Sequence, residues 1–510
     1  MSDKYIEAIL RARVYDVAEQ TPLEFAPNLS RRLGNSVYLK REDLQPVFSF
    51  KLRGAYNKIC SLDEQARNGG VIAASAGNHA QGVALSAHKL GMKALIVMPR
   101  TTPDIKVKSV RSLGSKIVLF GDSYDEAYQR AQEIAAEKNL TFIHPYDDPD
   151  VIAGQGTIAV EILRQYTRAI HAIFVPVGCG GLIAGIASYV KFVRPETRVI
   201  GVEPEEADCL NRALKANRRV ELKQVGLFAD GVAVKQIGKE PFRIARRLVD
   251  EVITVTTDEI CAAIKDIFDD TRSIAEPAGA LGVAGIKKYV DRENINDKCL
   301  ITIDSGANIN FDRLRYVAER AEVGERREVL LSVTIPEKAG SFLKFCRFLG
   351  KHNITEFNYR YFNQHNANIF VGVSASGEDS ERDRLVREME DEGFPVKDMT
   401  DNELAKEHMR YMVGGHAPCL LNEVVYRFEF PERPGALLKF LSAIGVRWNI
   451  SLFHYRNHGD AYGRVLMGIQ VQKSERKAFT NCLDALGFAY EDETRNPVYQ
   501  IYAGGAETDC

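Results

Sequence analysis

The first 320 residues alternate short apolar runs with longer segments in which apolar residues recur at every third or fourth position. The apolar runs predict buried strands, which we place at Val71–Ala74, Ala94–Met98, Ile117–Phe120, Ile173–Val177, Val199–Val202 and Leu300–Ile303. The wider spacing predicts amphipathic helices between them, such as Asn78–Leu90. Strands that are apolar on both faces and alternate with helices indicate an α/β fold, with parallel sheets flanked by helices.

A different pattern follows a charged segment at 319–328. The segment 331–345 recurs at 426–440 with the same order of alternating strand residues, a Pro/Gly turn and an apolar helix face. Each copy predicts a strand, a turn, a helix of about three turns and a second strand, and two copies are too few for a solenoid. We therefore predict four parts: a first domain at 1–320, a linker at 321–328 and two α+β modules at 329–401 and 424–503.

The overall composition excludes several classes of partner. The 510 residues include 67 Lys and Arg against 69 Asp and Glu, which gives no electrostatic reason to expect nucleic acid or an anionic membrane. No apolar run approaches the ~20 residues that span a bilayer. The first residues lack an apolar signal core and are too acidic for a transit peptide, so we expect a cytoplasmic protein. The nine cysteines form no CxxC pair and predict neither a zinc site nor a disulfide framework.

Lys51 is the first candidate for chemistry. It lies between Phe50 and Leu52 in the segment Ser-Phe-Lys-Leu-Arg-Gly-Ala. Apolar neighbours strip water from an ammonium group and favour the neutral, nucleophilic amine that a Schiff base with an aldehyde cofactor requires. Most lysines beside apolar residues, however, only lay their stem on the surface. Lys51 alone therefore does not decide between the two interpretations.

Three later segments each follow a predicted strand. Residues 75–79 (Ser-Ala-Gly-Asn-His) open a helix and either cap it or offer polar groups to a carboxylate. Residues 178–182 (Gly-Cys-Gly-Gly-Leu) suit either a tight turn or a phosphate-binding loop, although they match neither the Walker nor the GxGxxG pattern. Ser305 is either a turn residue or a partner for a ring nitrogen.

Taken in order, these segments resemble the pyridoxal-phosphate enzymes of the tryptophan-synthase β family (fold type II). Within it the chain is similar to the biosynthetic threonine dehydratases, because two ACT-like modules follow the catalytic part. The resemblance covers essentially the whole chain. It implies a pyridoxal 5′-phosphate-dependent lyase that converts L-threonine, and also L-serine, by dehydration and deamination. With threonine the products are 2-oxobutanoate and ammonia, in the first step of isoleucine biosynthesis.

The resemblance also assigns residues in the catalytic part. Lys51 would form the Schiff base and take the substrate's α-proton, Asn78 would meet the cofactor's 3-oxygen, and Ser305 would face its pyridine nitrogen. Two groups of residues would bind the charged ends of the ligands. The substrate carboxylate would bind Ser75 and the backbone of Ala76, Gly77 and His79, and the cofactor phosphate would bind the backbone of Gly178, Cys179, Gly180, Gly181 and Leu182.

Two positions depart from the family pattern. Cys179 replaces one glycine of the phosphate loop, so we expect its backbone to contribute and its thiol to have no role. Gly201–Pro204 matches a stretch beside the divalent metal of some relatives, but Cys209 stands where an acidic ligand would lie. We therefore predict no metal.

The resemblance further implies regulation. Tyr359 and Tyr455 occupy equivalent positions in the two modules and would contact isoleucine as inhibitor and valine as its opponent, in a homotetramer. The alternative is that both tyrosines are core aromatics of strands.

Two other functions stay open. One is a catabolic-type serine/threonine dehydratase or another β-elimination or β-replacement enzyme of the same fold, and the doubled module argues against it. The other is an amino-acid-binding regulatory protein with an inactive catalytic part, against which the intact Lys51, Asn78 and Ser305 argue.

Overall fold

The computed structural model describes residues 2–350, 352–361, 364–377, 379–407, 409–411, 417, 420–431, 438, 441–442, 444, 447–456 and 462–503. The chain divides into two compact units, Met1–Ala321 and Glu322–Cys510. Within the described residues, no helix is both long and apolar enough to cross a membrane.

The first unit alternates strands with helices along the chain. Its strands are β1 (Leu23–Phe25), β2 (Ser36–Arg41), β3 (Val71–Ala74), β4 (Ala94–Met98), β5 (Lys116–Leu119), β6 (Thr141–Phe142), β7 (Ala172–Pro176), β8 (Arg198–Pro204), β9 (Glu251–Val255) and β10 (Cys299–Asp304). Its helices are α1 (Ser2–Arg11), α2 (Pro27–Leu33), α3 (Lys51–Cys60), α4 (Glu64–Gly69), α5 (Asn78–Lys89), α6 (Asp104–Ser112), α7 (Tyr124–Lys138), α8 (Pro149–Gln165), α9 (Gly181–Val193), α10 (Cys209–Ala216), α11 (Lys239–Leu248), α12 (Thr257–Thr271), α13 (Pro277–Glu293) and α14 (Arg313–Gly324), which extends into the second unit. All six predicted strands are present, with ends within two residues of the prediction.

These strands form two sheets. The six-stranded sheet has the order β1-β2-β10-β7-β8-β9, and the four-stranded sheet has the order β5-β4-β3-β6. Every pairing is parallel except that of β1 with β2 at one edge. The central strands are buried throughout, which explains their apolar sequences. The α/β fold with parallel sheets is therefore confirmed.

Glycines bring three helices of this unit unusually close together. A Cβ atom at Gly185 of α9 would lie 2.5 Å from the carbonyl oxygen of Ile152 in α8. A Cβ atom at Gly154 of α8 would lie 2.7 Å from the carbonyl oxygen of Arg53 in α3. Neither position tolerates a side chain without movement of backbone. The helix that begins at Lys51 and the helix that follows the glycine-rich segment are thus both fixed against α8.

The second unit is built on an eight-stranded antiparallel sheet of order β14-β11-β13-β12-β16-β17-β15-β18. Its strands are β11 (Glu328–Pro336), β12 (Ile354–Arg360), β13 (Asn366–Ser374), β14 (Val396–Asp398), β15 (Glu423–Pro431), β16 (Asn449–Arg456), β17 (Tyr462–Gln470) and β18 (Ala489–Asp492). The helices described here are α15 (Ser341–Leu349), α16 (Asp379–Asp391), α17 (Glu403–Glu407), α18 (Arg476–Leu486) and α19 (Pro497–Tyr502).

The internal repeat is visible in this sheet. In the first copy β11, α15 and β12 follow one another in the predicted order, and β15 and β16 are the matching strands of the second copy. The helix predicted in the second copy lies mostly outside the described residues. Strands β12 and β16 pair directly, from Glu356 with Arg456 to Arg360 with Leu452, so both copies belong to one continuous sheet.

Candidate active site

The candidate segments of the first unit lie at the carboxyl ends of parallel strands. Ser75 directly follows β3, Gly178 follows β7 by two residues, and Ser305 directly follows β10. Ligands of open α/β sheets bind at this end of the strands.

Lys51 is the first residue of α3 and is held opposite Ser305 by backbone pairing. The Phe50 N–H donates to the Ser305 carbonyl at 3.3 Å, the Ala307 N–H donates to the Phe48 carbonyl at 2.9 Å, and Ser49 bridges to Gly306. The Lys51 Nζ lies 5.8 Å from the centroid of the Phe50 ring. In the described part of the chain no hydrogen bond or ion pair occupies this amine, so it is available to a ligand.

Phe48 shapes the turn that leads to this lysine. Its φ of 54° lies in the left-handed region, which is uncommon for a bulky residue and costs about 1–2 kcal/mol. The Phe48 N–H donates to the Gln45 carbonyl at 2.7 Å, and its own carbonyl accepts from Ala307. These two hydrogen bonds hold the strained turn, and the turn fixes where α3 begins.

A buried ionic network supports the same helix. The Arg53 guanidinium donates to both oxygens of Glu42 at 2.7 Å and to Glu161 at 2.5 and 3.1 Å, and the Lys40 Nζ lies 2.6 Å from Glu161. All four side chains are at most 1% exposed. Two cations balance two carboxylates, which is the condition under which buried charges are tolerated. Arg53 therefore anchors α3 two residues beyond Lys51.

The segment 75–79 forms the turn into α5. The Ser75 Oγ accepts a hydrogen bond from the Gly77 N–H at 3.2 Å, and no side chain caps the helix, which begins at Asn78. His79 Nε2 lies 3.0 Å from the Ile143 carbonyl, and burial lowers the pKa of this histidine to about 3. The ring is therefore neutral and committed to the fold. Only the backbone of His79 is left to act at the helix terminus, where N–H groups attract anions.

Asn78 lies in a chain of polar contacts. Its Nδ2 donates to Glu276 Oε1 at 2.7 Å, and its Oδ1 accepts from Asn308 Nδ2 at 2.8 Å. Asn308 Nδ2 also donates to the Val47 carbonyl at 2.8 Å. Asn78 is 8% exposed and Glu276 is 4% exposed, so both lie in the interior. Asn78 could be predicted as a site residue from the sequence, whereas its partners Glu276 and Asn308 could not.

The segment 178–182 wraps the start of α9 without a side-chain cap. Gly180 has a φ of 89°, which favours glycine, and a Cβ atom at Gly178 would lie 2.9 Å from the Cα of Val232. The Cys179 carbonyl accepts from the Gly238 N–H at 3.0 Å. Burial raises the pKa of the Cys179 thiol to about 12. A neutral thiol does not attract an anion, whereas the backbone N–H groups of residues 178–182 do.

Glu203 and Cys209 lie beneath this loop. The Glu203 carboxylate accepts from the backbone N–H groups of Leu210 and Asn211, both at 2.8 Å. The Cys209 Sγ lies 3.6 Å from Glu203 Oε1 and 3.7 Å from the Gly178 carbonyl oxygen. Over the described ranges, no group of three or more acidic, histidine or cysteine side chains has the arrangement of a metal site.

Tyr359 and Tyr455 belong to the second unit and are both 4% exposed within its hydrophobic core. The Tyr359 hydroxyl donates to the Glu337 carboxylate, whose other oxygen accepts from Asn449 Nδ2 at 2.8 Å. Burial raises the pKa of Glu337. The Glu337 carboxylate is thus hydrogen-bonded by Tyr359 from the first repeat copy and by Asn449 from the second. Tyr359 is a core aromatic whose hydroxyl reaches a polar cluster.

Two family models match the chain, one in each part. The model described as "Pyridoxal-phosphate dependent enzyme" matches residues 14–305, and the "C-terminal regulatory domain of Threonine dehydratase" matches 319–409 and 417–502. The biosynthetic L-threonine dehydratase of Burkholderia multivorans is 56% identical over 504 residues, which cover 98% of this chain and 99% of that protein. The chain belongs to the biosynthetic threonine dehydratase family. The Escherichia coli K12 relative is 52% identical over 98% of this chain and 97% of its own length.

Solved structures agree with this membership. The processed form of threonine deaminase isoform 2 from Solanum lycopersicum is 49% identical, with a TM-score of 0.62, and covers 63% of this chain and 93% of that one. The threonine deaminase of T.th. is 39% identical, with a TM-score of 0.57, over 60% of this chain and 98% of that one. The catalytic part of this family member is a pyridoxal-phosphate enzyme of fold type II, and a regulatory domain follows it.

The residues present fit this cofactor. The Lys51 amine, which no described side chain or carbonyl occupies, suits an aldehyde, and the α9 terminus with Gly178 and Gly180, where no side chain makes a cap, suits a phosphate. Asn78 begins the helix that follows β3, and Ser305 directly follows β10, so both residues lie beyond the carboxyl ends of parallel strands. The structure thus collects in one unit the groups that the sequence places up to about 250 residues apart.

Glu276 and Asn308 were missed by the sequence analysis. Asn308 lies three residues beyond Ser305, in a segment where only the Ser305 hydroxyl was predicted to have a role. Glu276 stands immediately before Pro277, at the N-cap of α13, where Ser, Thr, Asp and Asn are preferred. A glutamate directly before a proline that opens a helix is the sequence signal that could have identified it.

Proposed function

We propose that the chain catalyses the dehydration and deamination of L-threonine to 2-oxobutanoate and ammonia, the first step of isoleucine biosynthesis, and that it also accepts L-serine. One observation carries this proposal. The Lys51 amine, which has no hydrogen-bond or ion-pair partner among the described residues, is held opposite Ser305 by backbone pairing. The same unit contains a glycine loop, at the start of α9, that no side chain caps and that suits a phosphate. The names of the bacterial relatives support the same reaction, and a cytoplasmic location is part of the proposal.

The chain's own residues would perform distinct tasks. Lys51 carries the cofactor covalently and, once substrate has displaced it, takes the α-proton as general base. Ser75 and the N–H groups at the start of α5 hold the substrate carboxylate. Residues 178–182 hold the phosphate. Bound pyridoxal phosphate supplies the electron sink for the negative charge that forms at the α-carbon.

Ser305 would influence which reaction follows proton removal. A serine hydroxyl is neutral, so Ser305 would leave the ring nitrogen of a bound cofactor largely unprotonated. The cofactor would then supply a weaker electron sink, which would favour loss of the β-hydroxyl over transamination. Elimination of water is therefore the reaction that suits this residue.

The regulatory domain would bind amino-acid effectors. We propose that isoleucine inhibits and valine opposes it through contacts that include Tyr359 and Tyr455, in a homotetramer. The cluster of Tyr359, Glu337 and Asn449 supports the first contact, because it presents polar groups from both repeat copies at one place. An effector that binds one state of this domain more tightly than another shifts the equilibrium between the two states. The size of that shift is set by the difference between its two binding free energies.

Lys51→Ala tests the proposal directly. Loss of a general base costs about 10²–10⁴-fold in rate, and loss of the covalent attachment adds to it. We expect the rate of 2-oxobutanoate formation to fall by at least about 10³-fold. The visible absorbance of the covalently attached cofactor should be lost as well. Lys58→Ala, in the same helix and paired with Asp148 and Asp150, is the matched control and should stay active.

The outcomes separate the alternatives. Substantial activity of Lys51→Ala would reject Lys51 as the base. A wild-type protein that binds no cofactor would favour the regulatory protein with an inactive catalytic part. A strong preference for serine over threonine, without a response to isoleucine, would favour the catabolic-type enzyme.

A further inference from the structure

A buried carboxylate, Glu276, accepts a hydrogen bond from the Asn78 amide, and the orientation of this amide can be deduced from its neighbours. Asn308 Nδ2 donates one hydrogen to the Val47 carbonyl, which can only accept, and its other hydrogen points to Asn78 at 2.8 Å. The atom of Asn78 that faces Asn308 must therefore be Oδ1. Its Nδ2 then faces Glu276 Oε1 at 2.7 Å and retains one further N–H.

The surroundings of Glu276 make room for this carboxylate. A Cβ atom at Gly306 would lie 2.8 Å from Glu276 Oε1, and one at Gly231 would lie 3.5 Å from it. Gly306 is the neighbour of Ser305, on the segment that pairs with the turn before Lys51. Glu276 thus reaches the point where the loops of Lys51, Asn78 and Ser305 meet.

Among the described residues, the Glu276 side chain has neither a helix-capping nor an ion-pairing role. Its side chain makes no capping bond to α13, and across the described residues no lysine, arginine or histidine forms an ion pair with it. Burial, together with the charge of Asp230, raises the pKa of Glu276 to about 7, and the Asn78 hydrogen bond, Lys51 and Lys106 act against that rise. A buried carboxylate without a cation costs folding free energy, so its presence calls for another reason.

We propose that Glu276 is a positioning residue of the active site, which holds the Asn78 amide with its remaining N–H directed to the cofactor ring. The inference rests on the proposed function, which places Asn78 against the cofactor's 3-oxygen. An ionised carboxylate only accepts hydrogen bonds, so it matches the amide orientation that Asn308 requires and holds the Asn78 N–H by a charge-assisted bond. A protonated carboxyl accepts more weakly and can turn its O–H towards the amide, so it holds the Asn78 amide less firmly.

The proposal predicts a pH dependence. The charged or titratable groups that face Glu276 are Lys51 from α3, Lys106 from α6, Asp230, and Asp304 at the end of β10. Ionisation of Glu276 near neutral pH would appear as an acid limb in kcat and as a shift in the absorbance of the bound cofactor over the same range.

The test compares Glu276→Gln and Glu276→Asp with wild type in the full-length protein. Asp266→Asn is the control, since Asp266 is also buried but pairs with Arg32 and Lys287 away from the candidate site. Four quantities are measured: the cofactor dissociation constant, kcat and KM for threonine, the pH dependence of kcat and of the cofactor absorbance, and the Tm at pH 8.

For Glu276→Gln we expect at least a tenfold lower kcat, at least a tenfold weaker affinity for the cofactor, and loss of the acid limb. Its Tm after removal of the cofactor should be equal to or above that of wild type, because a buried charge is gone. Glu276→Asp keeps the charge and should retain the acid limb with a smaller loss of kcat. Asp266→Asn should lower the Tm and leave the acid limb in place.

Two results would overturn the proposal. One is a Glu276→Gln protein with the kcat, cofactor affinity and pH profile of wild type. The other is a Tm that falls as it does for Asp266→Asn, with an unchanged acid limb, which would assign Glu276 a structural role. A wild-type protein inactive on threonine and serine would instead refute the proposed function, while cofactor affinity and absorbance would still decide the role of Glu276.

Discussion

Arg53→Met is the substitution whose effect the structure predicts most sharply. The methionine keeps most of the side-chain volume but removes every hydrogen bond from the guanidinium to Glu42 and Glu161. Two carboxylates, each at most 1% exposed, are then left with Lys40 as their only buried cation among the described residues. Removing one partner from a buried ion pair costs about 3–5 kcal/mol.

This cost can be converted into a melting temperature. Unfolding entropy amounts to about 2.1 cal/mol/K per residue, so the first unit of about 320 residues loses roughly 0.7 kcal/mol of stability per degree near its Tm. The Tm should therefore fall by roughly 4–7 °C. Differential scanning calorimetry of the full chain measures it, and the transition of this unit is the one that added cofactor raises.

A control and a double variant make the prediction refutable. Arg212→Met removes an i,i+4 pair between the exposed Arg212 and Asp208, which is worth about 0.3–0.5 kcal/mol, and should change the Tm by no more than about 1 °C. Adding Glu42→Gln to Arg53→Met removes the carboxylate that has lost its contacting cation, while Glu161 keeps Lys40, and should restore part of the loss. A change in the single variant no larger than that of Arg212→Met would show that the network does not carry the stability assigned to it.

Three further predictions concern other parts of the molecule. Gly180→Ala places a side chain at a φ of 89° and 2.6 Å from Ile237 Cδ1, so equilibrium dialysis should show at least tenfold weaker cofactor binding. Tyr359→Phe should raise the isoleucine concentration for half inhibition, whereas Tyr361→Phe should not, since only the former removes a hydroxyl bound to Glu337. Burial raises the pKa of Glu203 from its ordinary 4.5 to about 8, so its contribution to stability is lost as the pH rises through that range. The Tm should fall from about pH 5 to 8, and Glu203→Gln should flatten that slope; an equally steep slope would refute the assignment.

The sequence was sufficient wherever a strand is apolar on both faces. Strands β3, β4, β7, β8 and β10 fall where their apolar runs predict them, because parallel sheets are covered on both sides. Strand β2 was missed, because its last residues, Lys40 and Arg41, are typical of an exposed segment. They are buried because Glu161 and Asp43 neutralise them, and those contacts are made only in the folded chain.

The residues of the candidate site also divide into those that a local segment identifies and those that only the folded chain identifies. Lys51, Asn78 and Ser305 stand in short local segments, so their resemblance to a family could be recognised. Glu276 is 198 positions from Asn78, and Asn308 is 230 positions from it. Nothing local marks either residue as a partner of Asn78, since their function depends on how two sheets and their loops come together.

The pairing of β12 with β16 limits how the second unit can move. Side chains alternate along a strand, so a slip of one residue would turn Phe357 and Tyr359 out of the core and bring polar residues into it. Sliding of one repeat copy past the other in small steps is therefore forbidden. Only two motions are left along this seam: a twist of the continuous sheet, or complete parting of the two strands. Any effector that acts within this unit has to use one of them.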